Sequence, residues 1–175
     1  KSIGILQRIK YIVSDDILLI LYFTLILPYF NYCNIVWGSV KSIYLEKLFL
    51  KQKKALRIIT RAKWNAHTLP IFAKMGLLNL YDINKLQIYC FMYKSQNKQL
   101  PAFFQQFFTL NSDVHQHKTR QSNKIHHISH RTKIRAFSIR IYGTKLWNAL
   151  SNNITTSPSI HIFKRKCKQL LLTEY

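Results

Sequence analysis

The stretch DDILLILYFTLILPYFNYCNIVWG, Asp15 to Gly38, decides what kind of chain this is. From Ile17 to Val40 no residue is charged, a run of about 24, which is long enough to cross a bilayer. Pro28, Asn31 and Asn34 interrupt it, as do the hydroxyl-bearing Tyr22, Thr24, Tyr29 and Tyr32. Such residues suit a buried helix ending in a turn better than lipid contact. Ser14, Asp15 and Asp16 read as an amino-terminal cap, with carboxylates where the helix dipole favours them. A core helix is the expectation. Its rival is a membrane-associated protein with a hydrophobic helix over 17–40, whose polybasic flanks are drawn to anionic lipid.

Composition narrows the reading. With 175 residues the chain can hold one domain with a real core or two small ones. The 27 Lys and Arg against 6 Asp and Glu give a net charge of +21, while 48% hydrophobic residues make the chain foldable rather than disordered. The carboxylates Asp15, Asp16, Glu46, Asp82, Asp113 and Glu174 leave little material for a two-metal site or an acid/base pair. Cys33, Cys90 and Cys167 are widely spaced, which suggests neither a disulfide framework nor a zinc ribbon and fits a reducing intracellular compartment. No glycine-rich phosphate loop or nucleophile elbow occurs, and no base is placed for a cysteine nucleophile. His115, His117, His126, His127 and His130 cluster in one polar stretch. Their density would suit a transition metal, but without a cysteine pair or a carboxylate besides Asp113 they read as polar loop groups. A start at Lys1, with no methionine before Met75 and no secretory leader, reads as a piece of something longer.

Downstream of the apolar run, Leu45, Leu48, Phe49, Leu56 and Ile59 recur at helical spacing. Lys47, Lys51, Lys53, Lys54, Arg57, Arg61 and Lys63 crowd the remaining surface, and Glu46 alone offers an internal partner. A short helix closed by Gly76 follows. A segment capped by Asp82 carries Ile83, Leu86, Cys90 and Phe91 and is apolar nearly all round, hence central. Pro101 opens a helix with Phe103, Phe104, Phe107 and Phe108, a stripe that reads as packing. From Val114 to Thr173 no residue is acidic, and the texture becomes cationic. Phe137, Ile139 and Ile141 alternate as a short strand stopped at Gly143, Thr144 caps a helix, and Ser157-Pro158 starts a terminal helix. The expected architecture is mainly α: a helical bundle over 1–110, then a small basic α+β tail over 111–175 with a strand and two helices.

Five strings in order carry a resemblance: LILPYFNYCNIVWG (Leu25 to Gly38), LEKLFLKQKKALRIIT (Leu45 to Thr60), AHTLPIFAKMGLLNLYDINKLQ (Ala66 to Gln87), HKTRQSN (His117 to Asn123) and YGTKLWNALSNNI (Tyr142 to Ile154). Together they resemble the region after the palm in reverse transcriptases of non-LTR, LINE-type retrotransposons of the jockey-like branch. The likeness implies a thumb-like bundle and a parent RNA-directed DNA polymerase that copies its transcript at a nicked target. It implies Mg2+ for the parent, bound by palm carboxylates in an [FY]ADD turn, and no cofactor or catalytic residue in this chain. Ser14-Asp15-Asp16 only superficially resembles that turn. His117-Lys118-Thr119-Arg120 and Trp147-Asn148-Ala149-Leu150-Ser151 depart from the family's usual tyrosine-asparagine-Thr-Arg and Trp-Asn-x-Leu-Pro.

The implied partners are RNA template, RNA–DNA hybrid and target DNA, with palm and endonuclease domains upstream, no membrane, and a nuclear and cytoplasmic setting. On this reading Lys51, Lys54, Arg57, Arg61 and Lys63 touch hybrid phosphates, while Arg120, Arg131, Lys133 and Arg135 contact template or target beyond it. Trp37, Trp64 and Trp147 serve mainly as core or hinge anchors. A basic module for an acidic protein is the remaining alternative.

Overall fold

The computed structural model describes residues 1–38, 42–114 and 120–175. The chain divides into two compact units, 1–84 with 169–175, and 85–168. The boundary expected near Asn111 therefore falls inside the second unit.

In the first unit the apolar run is broken into α2 (Asp15–Leu25), α3 (Leu27–Asn31) and α4 (Asn34–Trp37), preceded by α1 (Ser2–Ile9). The breaks have local causes. Ile26 leaves helical geometry at φ −120 and Pro28 sits in the first turn of α3, while Cys33 turns left-handed at φ 48. Among the described residues no helix is long and apolar enough to cross a membrane. Ser14 occupies the N-cap of α2 with Asp15 and Asp16 behind it, although its hydroxyl makes no capping bond. The long α5 (Ser42–Ile59) packs against α1 and α2. Its inward stripe is Leu45, Gln52, Ala55, Leu56 and Ile59. Leu48, expected inside, is 39% exposed, and the fully buried Gln52 takes the central place. Gln52 Nε2 donates to the Tyr22 hydroxyl at 2.9 Å and to the Leu78 carbonyl at 3.0 Å.

After α6 (Leu69–Met75), Gly76 adopts φ 59, as the sequence suggests. α7 (Leu80–Gln96) is capped by Asn79 rather than by Asp82. Asn79 Oδ1 accepts from the Asp82 amide at 3.0 Å, and Asp82 occupies the third helical position. The Tyr175 hydroxyl closes the motif, accepting from the Asn79 amide at 2.8 Å and donating to Asp82 Oδ2 at 2.7 Å.

The second unit is built on α7 from Lys85 onward, with α8 (Ala102–Gln105), α9 (Asn111–Val114), α10 (Lys133–Ala136), α11 (Thr144–Ala149), α12 (Asn152–Thr155) and α13 (Ile160–Leu172), whose last turn belongs to the first unit. Ile88, Met92, Phe108 and Ile125 form its core, ringed by Phe91, Phe107, Leu146 and Trp147. The expected α+β tail is not found. Ile139–Gly143 winds into a π-helical turn that runs into α11, and Phe137 stands 48% exposed. An alternating pattern forms a strand only where a neighbouring strand satisfies its backbone. The described residues offer one isolated bridge, Leu110 to Ile125, and no strand. Thr144 likewise is no cap: it opens α11 with its hydroxyl donating to the Arg140 carbonyl at 2.8 Å.

Two helix ends use left-handed residues other than glycine, Arg61 at φ 53 and Lys98 at φ 55. At each the chain closes the same pair of hydrogen bonds: the Arg61 amide donates to the Ile58 carbonyl at 3.3 Å and the Ala62 amide to the Arg57 carbonyl at 3.0 Å, and the Lys98 amide donates to the Ser95 carbonyl at 3.1 Å and the Gln99 amide to the Lys94 carbonyl at 2.8 Å. Because left-handed geometry costs a side-chain-bearing residue about 1–2 kcal/mol, Lys98→Gly is expected to raise the midpoint of thermal unfolding. The net gain is about 0.5–1 kcal/mol once the freer unfolded chain is counted, and a lowered midpoint would contradict this cap.

Candidate nucleic-acid interface

Helix α5 sorts its cations by position. Lys47, Lys51 and Lys54, at i, i+4 and i+7, are exposed on the side opposite the Leu45–Gln52–Leu56 stripe. Over about 10 Å of helix they present three ammonium groups in a row. Lys53 instead lies over the Phe49 ring at 4.2 Å. Arg57 is half-buried, and its Nε donates to the Ala66 carbonyl at 2.9 Å. Arg61 pairs with Asp15 at 3.0 Å through Nε and donates to the Val13 carbonyl at 3.2 Å. Of the expected contacts in this unit, Lys51, Lys54 and Lys63 are thus exposed, while Arg57 and Arg61 also tie down the loops around them. Asp15 gives Arg61 the internal partner that the sequence assigns only to Glu46. Lys47, named with the basic surface but not among the expected phosphate contacts, belongs with them by its i−4 spacing from Lys51.

The second unit carries fifteen Lys and Arg against Asp113 alone. Arg131, Lys133 and Arg135 are all exposed around the single turn of α10, where the Thr132 hydroxyl accepts from the Arg135 amide at 3.3 Å. Arg120 is placed elsewhere. It lines a cleft of about 560 Å³ with Gln121, His126, His127, Asn111 and Asn148. Asn148 is already used there, bonded to both backbone groups of Ile125 at 3.1 and 2.8 Å, and His126 Nδ1 lies 3.2 Å from Asn111 Oδ1. His115, His117, Lys118 and Thr119 lie outside the described residues.

Comparison with known protein families, curated proteins and solved structures returned no match.

A second basic stripe lies on α13. His161, Lys164, Arg165 and Lys168 are exposed along one side of α13, whereas Lys166 on its flank donates to the Asn153 carbonyl at 2.7 Å. Lys164 and Lys94 both draw down the Cys90 thiol that burial pushes up. The tryptophans divide too. Trp147 packs on Phe163 at 5.8 Å between ring centroids and Trp37 Nε1 donates to the Tyr32 carbonyl at 2.6 Å, but Trp64, next to Lys63, is 87% exposed. Trp64 is no core anchor.

The carboxylates do not converge. Asp15 is held by Arg61 and Asp82 by Asn79 and Tyr175, while Asp113 accepts from the Leu110 amide at 3.2 Å. Among the described residues no three His, Cys, Asp or Glu side chains gather as metal ligands. The Ser14-Asp15-Asp16 head of α2 does not fit a two-metal centre.

Proposed function

We propose that this chain binds nucleic acid by its backbone, as the non-catalytic C-terminal, thumb and post-thumb region of a reverse transcriptase of the LINE type. The row Lys47, Lys51 and Lys54 supports the reading most directly. Among the described residues none of these ammonium groups has a carboxylate partner, and with only 6 carboxylates against 27 Lys and Arg the counter-charge has to come from outside. Phosphates of a template-primer duplex supply it in a regular array, and the wide minor groove of an RNA–DNA hybrid suits a grip that reads shape. In the second unit, Arg120, Arg131, Lys133 and Arg135 extend the binding to template or target strands. Magnesium and the palm carboxylates belong to the parent polymerase, and the chain alone is expected to synthesise no DNA.

The Lys47→Ala/Lys51→Ala/Lys54→Ala variant tests this. Each lost phosphate contact removes about 0.9 from the slope of log affinity against log salt, so the slope should shrink by nearly 3. Arg61→Ala should act mainly on stability, by about 1 kcal/mol or less for an exposed pair. A triple variant with an unchanged slope would sink the assignment of α5.

A further inference from the structure

An open cleft of about 460 Å³ in the first unit lies where α1, the α2–α3 junction and α5 meet. We propose that it receives an unstacked base of a single-stranded nucleic acid, with Tyr29 as the stacking surface and Lys51 and Lys54 on the flanking phosphates. This rests on the backbone reading above and goes past it, because a backbone grip is blind to the base.

Three features of the cleft point the same way. Its size falls within the range of small-ligand sites, about 300–1,000 Å³. Its lining combines apolar Leu25, Ile26, Tyr29 and Phe30 of the α2–α3 segment with the cationic Lys1 and with Lys51 and Lys54 of α5. A nucleotide combines the same two chemistries, a flat apolar ring and an anion. Tyr29 itself is 74% exposed although its neighbour Phe30 is buried at 6%. The short α3, with Pro28 in its first turn, therefore seats one ring in the core and presents the other. An aromatic face beside ammonium groups is the usual platform for single strands, since every base has a π-face. A duplex keeps its bases stacked inside and has nothing to offer such a cleft.

The test uses the full chain and fluorescence anisotropy with three probes: oligothymidylate of about ten nucleotides, an abasic strand of equal phosphate count, and an RNA–DNA hybrid. Oligothymidylate should bind more tightly than the abasic strand, and Tyr29→Ala should abolish that difference, a loss of about five- to a hundredfold for one stacked base. The hybrid should be unaffected by Tyr29→Ala. Gly4→Trp provides a second variant: Gly4 lines the cleft, and an added Cβ there meets nothing within 4 Å, so the backbone accepts a side chain at this position. It should cause the same selective loss. Oligouridylate in place of oligothymidylate separates RNA from DNA as the source of the base. Equal binding of both single strands with no effect of Tyr29→Ala overturns the cleft while leaving the backbone reading intact. Failure of all three probes to bind at low salt overturns the backbone reading and the cleft with it. Displacement of both single strands alike by polyglutamate would overturn the proposal in favour of an acidic protein segment.

Discussion

Replacing Gly38 by alanine is expected to lower stability by about 3 kcal/mol, the sum of a broken buried amide pair and the strain of relieving it. Asn34 and Asn84 are 1% and 7% exposed. Asn84 Nδ2 donates to Asn34 Oδ1 at 2.7 Å and to the Asn34 carbonyl at 3.1 Å, and Asn34 Nδ2 donates to the Phe30 carbonyl at 2.8 Å. Gly38 closes α4 against this network with its amide on the Asn34 carbonyl at 2.7 Å. A Cβ at Gly38 would collide with the Asn84 amide nitrogen, would lie 2.5 Å from the Asn34 carbonyl oxygen, and would stand 2.8 Å from Asn84 Cγ. None of these is the loose end of a long side chain. Gly143→Ala is the control. Its Cβ meets Met92 Sδ at 2.9 Å and Ile139 Cδ1 at 3.3 Å, flexible groups that can give, so its loss should stay below about 1.5 kcal/mol. Denaturant midpoints of the two variants decide the matter, and equal losses would contradict the described network.

Alkaline pH is expected to destabilise the chain through its buried thiols and phenols. Cys167 is fully buried, and burial first, then the neighbouring Cys90, push its thiol up to about 12. In an unfolded chain a thiol ionises near 8.5. Between about pH 8.5 and 12 the unfolded state has therefore released a proton that the native state keeps, and native stability falls as pH rises through that window. One such group contributes at most about 1.4 kcal/mol per pH unit. Burial also raises Cys90, Tyr22 and Tyr175. For Tyr175 the bond from the Asn79 amide opposes burial and the Asp82 carboxylate reinforces it. All four groups act in the same direction. Denaturant midpoints should decline between about pH 9 and 11, and Cys167→Ala, though less stable at neutral pH, should decline less. A flat profile for the native chain would contradict the burial of Cys167.

Much of the fold was legible because its signals are local. Helical spacing located α5, Gly76 located the end of α6, and the absence of a polar face on α7 marked it as central. What was missed depends on neighbours. Gln52 sits at a core position of α5, but a polar residue there can be recognised only once Tyr22 and the Leu78 carbonyl are known to stand beside it. Among the described residues the Phe137–Ile141 alternation has no second strand to pair with. The division of the two compact units inside α7 leaves no mark in a continuous helical pattern, whereas the change of texture at Asn111 is one of composition. In the candidate site the sequence gives the density of charge but not its direction. Arg57 and Arg61 read like Lys51 and Lys54 until Ala66, Asp15 and Val13 are seen to hold them. Tyr29 reads as part of a buried helix and Trp64 as a core or hinge anchor, and both stand exposed in the structure.

The central claim is that the exposed lysines of α5 neutralise phosphates, and the most direct measurement is the affinity of the full chain for an RNA–DNA hybrid across a range of salt. With Lys47, Lys51 and Lys54 of α5 engaged together with the exposed Lys63 just beyond it, log affinity should fall linearly with log salt with a slope of about −3.6 or steeper. An affinity independent of salt, or no binding at about 50 mM salt, would contradict it.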